Sequence, residues 1–195
     1  FTAINLAMSM ALELDYRVLL VDADVARPSL RKLFDLPAGP GLLDLLVDPS
    51  VQMSDVLLRT NVDKLSLLLS GTPTARATEL LASDSMTRLV EDMGTRYPDR
   101  IIIFDSPPLL LTTEARVLAS HMGQIVVVVQ AEKTLQSQLK HALTTIEACP
   151  VKLLVLNQAR GGDQDAFGYG YGYGYGYGAP AAASSPAPGS QPANA

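Results

Sequence analysis

The sequence is 195 residues long, is 48% hydrophobic and 18% charged, and has a formal net charge of −5. This length and composition fit one globular domain with an ordinary core. The acidic balance provides no basic footprint of the kind that binds nucleic acid, so no nucleic-acid partner is expected. A single cysteine, Cys149, excludes an internal disulfide and suits a reducing cytoplasm.

The apolar runs and the first residue indicate whether the sequence contains a membrane span, a signal peptide or a natural start. No apolar run reaches the roughly 18 residues of a membrane span, and nothing resembles a signal peptide. The first residue is Phe1 rather than methionine, and it stands at the start of a helical pattern. We therefore expect the sequence to be a fragment of a longer protein.

The spacing of apolar residues predicts alternating strands and helices. An amphipathic helix is predicted first, over residues 2–14. Short continuous apolar runs, typical of strands buried on both faces of a parallel sheet, follow at 17–21, 65–69, 100–104, 124–129 and 152–156. Helical stretches separate them at 79–81, 85–97, 113–121 and 135–148. The alternation predicts an α/β fold with a doubly wound, mostly parallel sheet and right-handed crossovers.

The composition changes abruptly near residue 161. Residues 168–178 alternate glycine with tyrosine, and the remainder consists mainly of alanine, proline, serine and glycine. Glycine at every second position loses much backbone entropy on ordering, and proline-rich ends cannot pair in sheets. We predict a single folded domain over residues 1–160 and a disordered C-terminal tail over residues 161–195.

Two of the predicted strands end in aspartate. The first leads into Asp22 and Asp24, and the strand at 100–104 leads into Asp105, which is followed by Ser-Pro-Pro. Ligands of open α/β sheets bind at the carboxyl ends of the strands. An apolar run that closes on aspartate is the Walker B pattern, in which the carboxylate holds Mg²⁺ near nucleotide phosphates. For either strand considered alone, the alternative to a metal-binding role is that its aspartate only caps the next turn.

Several segments resemble the bacterial tyrosine kinases, a family of P-loop NTPases of the deviant Walker type. VLLVDADVARP at 18–28 is similar to their Walker A′ motif, and IIIFDSPP at 101–108 is similar to their Walker B motif. FTAINLA at 1–7 resembles the helix that follows their phosphate loop, and ELLAS at 79–83 and VLNQ at 155–158 also match. The resemblance covers residues 1 to about 160. The residues of the Walker A′ segment most resemble those of the autokinases of exosortase-associated exopolysaccharide clusters.

This resemblance implies roles for individual residues. Asp22 would orient or deprotonate the attacking tyrosine hydroxyl and help to position Mg²⁺, with Asp24 supporting the same site. Asp105 would be the Walker B ligand to Mg²⁺. Asn157 would contact the nucleotide base, and Arg27 is a candidate phosphate contact. The implied ATP-binding set is thus Asp22, Arg27, Asp105 and Asn157, and the implied cofactor is Mg²⁺ held by Asp22 and Asp105.

Two departures from the family pattern qualify these roles. The usual Walker A′ motif has arginine two residues after its second aspartate, where this sequence has Ala26, and Arg27 comes one position later. The sequence also contains no Gly-x-x-x-x-Gly-Lys-Ser/Thr loop. That loop supplies the backbone N–H cradle and the lysine that bind phosphate. We expect the chain as written to be inactive without it.

The tail carries the tyrosines that the resemblance assigns as phosphate acceptors. Considered alone, a Gly-Tyr repeat is also typical of a low-complexity linker that associates through its rings. Flanking glycines leave each ring exposed, and such a tail can reach a neighbouring subunit. The predicted acceptors are Tyr169, Tyr171, Tyr173, Tyr175 and Tyr177.

The resemblance implies an ATP-dependent protein-tyrosine autokinase that phosphorylates the tails of other copies and regulates exopolysaccharide synthesis or export. Expected partners are ATP, further copies in a homo-oligomer, a membrane-embedded chain-length or co-polymerase protein, and a tyrosine phosphatase. The expected location is cytoplasmic, peripheral at the inner face of the cell membrane. A deviant Walker ATPase of the septum-positioning or DNA-partitioning kind and a non-catalytic scaffold stay open as alternatives.

Overall fold

The computed structural model describes residues 1–13 and 15–159. The predicted disordered tail, its five acceptor tyrosines and the domain boundary near residue 160 lie outside the described residues. The described elements, in chain order, are α1 (Thr2–Ala11), β1 (Arg17–Asp22), α2 (Leu30–Leu33), α3 (Leu42–Val47), α4 (Met53–Val56), β2 (Leu57–Arg59), β3 (Leu65–Leu68), α5 (Ala77–Leu81), α6 (Asp84–Arg96), β4 (Arg100–Asp105), α7 (Thr113–Ser120), β5 (Gln124–Gln130), α8 (Gln136–Thr145) and β6 (Val151–Asn157).

Strand β1 lies inside a four-stranded sheet with the order β2-β3-β1-β4. It pairs in parallel with β3 on one side and with β4 on the other, and the short β2 runs antiparallel along β3. Alternate residues of β1 enter two apolar clusters. Val18 and Leu20 pack with α1, whereas Leu19 and Val21 pack with residues of α3 and α6. Both faces are therefore covered, which confirms the predicted doubly wound, mostly parallel α/β fold.

Strands β5 and β6 form a separate two-stranded parallel sheet. Their apolar runs predict burial on both faces, but Leu153 and Leu154 in β6 are 51% and 53% exposed. The expectation of burial is therefore wrong for β5 and β6 within the part of the chain that the structure describes. The physical reason is that side chains alternate between the two faces of a strand, and no described element packs extensively against either face of this pair.

Several elements differ from the predicted ones in extent or were not predicted. Helix α1 ends at Ala11 because its last turn tightens, with the N–H of Glu13 donating to the carbonyl of Met10 at 3.1 Å. Between residues 30 and 59 the chain forms α2, α3, α4 and β2, each only three to six residues long. Elements this short span less than two helical turns, so apolar periodicity does not indicate them.

A close backbone contact joins the start of α3 to the turn after β3. The N–H groups of Leu42 and Leu43 donate to the carbonyls of Leu69 and Ser70 at 2.8 and 3.0 Å. Asp44 closes this contact, because its Oδ2 accepts the N–H of Gly41 at 2.8 Å and that of Thr72 at 2.9 Å. We call this set the β3 clamp: residues 41–44 held against residues 69–72.

Replacing Asp44 with asparagine is expected to destabilise the fold by about 1–2 kcal/mol, because two charge-assisted hydrogen bonds become neutral ones. Partial burial opposes ionisation, but the hydrogen bonds from Thr72 and Gly41 together lower the pKa of Asp44. The loss should therefore be largest at neutral pH and shrink as the pH falls through that lowered pKa. Urea denaturation at several pH values measures it.

Asp48→Asn is the matched control for this substitution. Asp48 follows α3 directly and is exposed, and its side chain accepts hydrogen bonds only from Ser50 in the described part of the chain. Its replacement should cost clearly less than that of Asp44. Equal losses from the two variants would show that the β3 clamp contributes no more than a surface turn.

Candidate functional site

The site begins with the register of two neighbouring strands. β1 and β4 pair in parallel from Arg17 opposite Arg100 to Asp22 opposite Asp105. Adjacent strands lie about 4.8 Å apart, so the two aspartates stand side by side at the carboxyl edge of the sheet. Asp22 is fully buried and Asp105 is partly buried. The two acids therefore lie next to each other at one edge of the sheet, where the sequence predicts them.

The two carboxylate oxygens of Asp22 have different surroundings. Oδ2 accepts the backbone N–H of Leu30, the first residue of α2, at 3.1 Å. Oδ1 is buried and has no hydrogen-bond partner among the described residues. A buried carboxylate oxygen without a partner is costly, and such atoms commonly mark a place where a ligand binds. The Leu30 bond orients the group and leaves Oδ1 available.

The electrostatics of the acid pair favour proton uptake. Burial raises the pKa of Asp22 to about 6; the hydrogen bond from Leu30 opposes this rise, and the charges of Asp105 and Asp24 add to it. Burial also raises the pKa of Asp105, and the charge of Asp24 adds to this rise. Like charges held together in a partly desolvated site resist ionising together, which is a common feature of binding and catalytic sites.

The other sequence-predicted residues have weaker links to this pair. Asp24 adds negative charge near Asp22. Its Oδ1 also accepts the N–H of Arg27 at 3.1 Å, so Asp24 caps a turn, which is the alternative role of an aspartate at the end of a strand. The side chain of Arg27 is exposed, and no ion pair joins it to another described residue. Asn157 ends β6, and its Oδ1 accepts the N–H of Gln158 at 2.9 Å. The roles assigned to Arg27 and Asn157 stay predictions.

The acid pair has the donor chemistry that Mg²⁺ prefers. Among the residues the structure describes, no group of three or more acidic, histidine or cysteine side chains could hold a metal ion by itself. Mg²⁺ usually keeps several waters and takes only one or two carboxylates from the protein. Two neighbouring carboxylates, those of Asp22 and Asp105, fit that pattern of ligation.

One contributor to the site was not predicted from the sequence: the N–H of Leu30, which orients Asp22. A backbone N–H has no residue-type signature, so only the spacing between Asp22 and the short helix α2 could have indicated it.

The comparisons with known proteins define the class first. A family profile described as an AAA domain matches residues 1–156. Together with the doubly wound sheet and the paired aspartates at its carboxyl edge, this places the chain among the α/β domains of the P-loop NTPase class.

Named relatives narrow this class to one family. The tyrosine-protein kinase ptk of Acinetobacter johnsonii is 36% identical over 153 residues, which are 78% of this chain and 20% of that protein. The tyrosine-protein kinase YwqD of Bacillus subtilis is 33% identical over 153 residues, 78% of this chain and 63% of that protein. The crystal structure of the chimerical protein CapA2B2 superposes with a TM-score of 0.69 at 31% identity, covering 80% of this chain and 69% of that one. The chain belongs to the bacterial tyrosine-protein kinase family.

The chain matches only part of each of these two kinases. The chain spans about a fifth of the first of the two kinases and under two thirds of the second. The septum site-determining protein MinD of Pyrococcus horikoshii, solved with Mg-ADP, has a TM-score of 0.60 at 20% identity over 80% of this chain. At that identity the likeness extends to the fold alone, and it is more distant than the kinases.

Proposed function

We propose that this domain is the catalytic part of an ATP-dependent protein-tyrosine autokinase that phosphorylates the tail tyrosines of other copies. The observation that carries the proposal is the registered pair of Asp22 and Asp105, with one buried oxygen of Asp22 unpartnered. A second support is family membership, since its relatives are named tyrosine-protein kinases. The proposed acceptors are the five tyrosines at alternate positions of residues 168–178.

In the proposed reaction, Asp22 acts as the base. A tyrosine hydroxyl has an ordinary pKa of about 10, so it reacts better when a carboxylate takes its proton. A carboxyl with a pKa of about 6 is a stronger base than an ordinary aspartate. Oδ1 of Asp22 accepts the proton, the phenolic oxygen bonds to the γ-phosphorus, and ADP leaves with the electrons of the broken P–O bond. The Leu30 N–H holds the other carboxylate oxygen throughout.

Asp22 and Asp105 are the residues that would hold the metal. When bound there, Mg²⁺ supplies neutralisation of the negative charge on the phosphate oxygens. In the proposed complex with ATP, Arg27 would place a positive charge at the phosphates. Asn157 would form a hydrogen bond with the nucleotide base. Asp24 adds negative charge beside the pair, which raises the proton affinity of Asp22.

The proposed activity needs a phosphate-binding loop from outside the 195 residues, because they contain no Gly-x-x-x-x-Gly-Lys-Ser/Thr. The open edges of β4 and β5 support this part of the proposal. Within the described residues each strand pairs on one side only, and Val126 and Val128 of β5 are 37% and 46% exposed. One more parallel strand between them would pair with both edges.

The wider biological setting is also a proposal. It comprises regulation of exopolysaccharide synthesis or export, association with a membrane chain-length or co-polymerase protein, and reversal by a tyrosine phosphatase. Among the residues described, no helix is long and apolar enough to cross a membrane. The proposed location is the cytoplasmic face of the membrane, reached through the partner. The septum-positioning ATPase alternative does not account for five tyrosines at alternate positions.

The test uses a longer chain that carries both a Gly-Lys-Ser/Thr loop and these 195 residues. With labelled ATP and Mg²⁺, we expect label on residues 169–177, located by mass spectrometry of tail peptides. Replacing all five tyrosines with phenylalanine should abolish tail labelling and leave nucleotide binding unchanged. ATP hydrolysis without tail labelling would contradict the kinase proposal and favour the ATPase alternative. Absence of both hydrolysis and labelling would favour the scaffold.

A further inference from the structure

Two neighbouring amide side chains end the second sheet. β5 and β6 pair in parallel up to Gln130 opposite Asn157, and the N–H of Ala131 donates to the carbonyl of Asn157 at 2.9 Å. Because directly opposite residues of paired strands point to the same face, the amides of Gln130 and Asn157 are neighbours. Ligands of open parallel sheets bind at the carboxyl ends of the strands. This amide pair has the same position in its sheet as Asp22 and Asp105 have in theirs.

Gln158 connects the two amides through hydrogen bonds. Its N–H donates to Oδ1 of Asn157 at 2.9 Å, and its Oε1 accepts a hydrogen bond from Nε2 of Gln130. In a regular strand, the residue after Asn157 would point to the opposite face, away from Gln130. Gln158 instead has a φ of 60°, a left-handed conformation that is costly for any residue with a side chain. Backbone strain of this kind commonly lies at ligand-binding sites.

A tight turn fixes the backbone of Gln130. Its N–H donates to Oγ1 of Thr134 at 3.0 Å, and the N–H of Thr134 donates to the carbonyl of Gln130 at 3.0 Å. The turn contains Glu132, which also has a left-handed φ, of 61°. Both the backbone and the side chain of Gln130 are therefore held by neighbours, so its amide is oriented before any ligand binds.

These hydrogen bonds leave one acceptor and one donor of the amide pair available. Nε2 of Gln130 donates to Gln158, so Oε1 is the free end; Oδ1 of Asn157 accepts an N–H, so Nδ2 is the free end. Neither free atom makes a hydrogen bond within the described residues. An acceptor beside a donor is complementary to adenine, whose N6 amino group donates next to an N7 that accepts. Guanine has the acceptor O6 in place of that amino group, so it would set two acceptors against each other.

We propose that Gln130 accepts a hydrogen bond from the amino group of adenine and thereby selects adenine over guanine nucleotides, with Gln158 as the residue that positions it. This inference rests on the proposed function, in which ATP is the substrate and Asn157 contacts the base. It adds a selecting acceptor to that contact. Two donors at these positions would suit guanine instead, so the direction of the hydrogen bond between Gln130 and Gln158 sets the preference.

The test measures nucleotide binding by the longer chain with the phosphate loop. ADP, GDP and purine riboside diphosphate each displace a fluorescent ADP derivative in the presence of Mg²⁺. The parent should bind ADP at least about tenfold more tightly than either of the other two, because one base hydrogen bond contributes about that factor. Gln130→Leu should lower both affinity ratios to less than about twofold. Purine riboside diphosphate differs from ADP only by lacking the amino group, so its ratio reports the bond to Gln130 directly.

Two further variants separate the acceptor from a purely structural role. Gln130→Glu keeps an acceptor to which Gln158 can donate after turning its amide, so it should retain most of the ADP preference. Gln158→Gly removes the positioning amide and relieves the strained backbone, since glycine adopts a positive φ freely. It should lower the ADP preference to about threefold while the urea midpoint stays equal or rises. A purely structural contribution of Gln158 would lower both together.

Gln124→Leu is the matched control. Gln124 is exposed at the opposite end of β5, so its replacement should leave both affinity ratios unchanged. Circular dichroism checks that each variant is folded. A parent without a preference for ADP would overturn the inference, as would a Gln130→Leu variant that keeps the parent's ratios or an equal loss in Gln124→Leu.

These outcomes are separable from failure of the kinase proposal. Selective binding of ADP without tail labelling would support the adenine contact and contradict the kinase. Tail labelling that GTP supports as well as ATP would contradict the adenine contact and leave the kinase proposal standing. A chain that binds neither nucleotide would contradict both.

Discussion

Replacing Asp22 with asparagine is expected to lower tail phosphorylation by about 100- to 10,000-fold in a chain that carries the phosphate loop. The amide has nearly the shape of the carboxylate and can still accept the N–H of Leu30 through its oxygen. It cannot accept the tyrosine proton at the position of Oδ1, and it contributes no negative charge toward Mg²⁺. Initial rates of labelling at saturating ATP and peptide measure the loss.

The same substitution is expected to stabilise the fold. The folded-state pKa of Asp22 is about 6, against an ordinary value of 3.8. A raised pKa means that the folded protein holds the proton more tightly, so this contribution to stability is fully present below about pH 4. It is lost as the pH rises from about 4 to 6. Asparagine has no proton to lose, so above pH 6 the variant should be more stable by on the order of 2 kcal/mol.

Asp24→Asn is the matched control for both effects. Asp24 lies two residues away and caps a turn by accepting the N–H of Arg27, a bond that the amide can also make. We expect at most about a tenfold loss of rate and a small change in stability. If Asp22→Asn retained more than a tenth of the parent rate, Asp22 would not be the base. If its stability advantage were the same at pH 4 and pH 7, titration of Asp22 would not be the cause.

Replacing Gly41 with alanine is expected to destabilise the fold by about 3 kcal/mol or more. A Cβ at this position would lie 2.2 Å from the carbonyl oxygen of Leu69 and 2.6 Å from the backbone nitrogen of Gly71. Both neighbours are backbone atoms inside the β3 clamp, so neither can turn away as the end of a flexible side chain would. Relief requires the start of α3 to separate from the end of β3. Urea denaturation monitored by circular dichroism measures the cost.

Gly39→Ala provides the control two residues upstream. A Cβ on Gly39 would meet nothing within 4 Å, so its replacement should change stability by less than about 0.5 kcal/mol. A cost below about 1 kcal/mol for Gly41→Ala would show that the clamp yields easily. Because β3 is the direct neighbour of β1, a loosened clamp should also alter the surroundings of Asp22. Its pH-dependent stability would then change in the same variant.

The long, uniformly apolar segments were predictable because burial on both faces allows no polar residue within a strand. That reasoning identified β1 and β4 as strands and placed Asp22 and Asp105 at their ends. It failed for α2, α3, α4 and β2, which are too short to show a period. Burial was also expected for β5 and β6, since an apolar run indicates that a strand needs covering but does not indicate what covers it.

For the acid pair that carries the proposed function, the sequence by itself determined that two apolar strands end in aspartate at the same edge of a parallel sheet. Strand composition and the rule for ligand sites in open sheets suffice for that. Only the tertiary structure decided that Asp22 stands directly opposite Asp105, that Leu30 holds one oxygen of Asp22, and that the other is buried without a partner in the described residues. The physical reason is that register, backbone hydrogen bonds and desolvation arise between segments distant in the chain, where residue types alone fix neither distance nor direction.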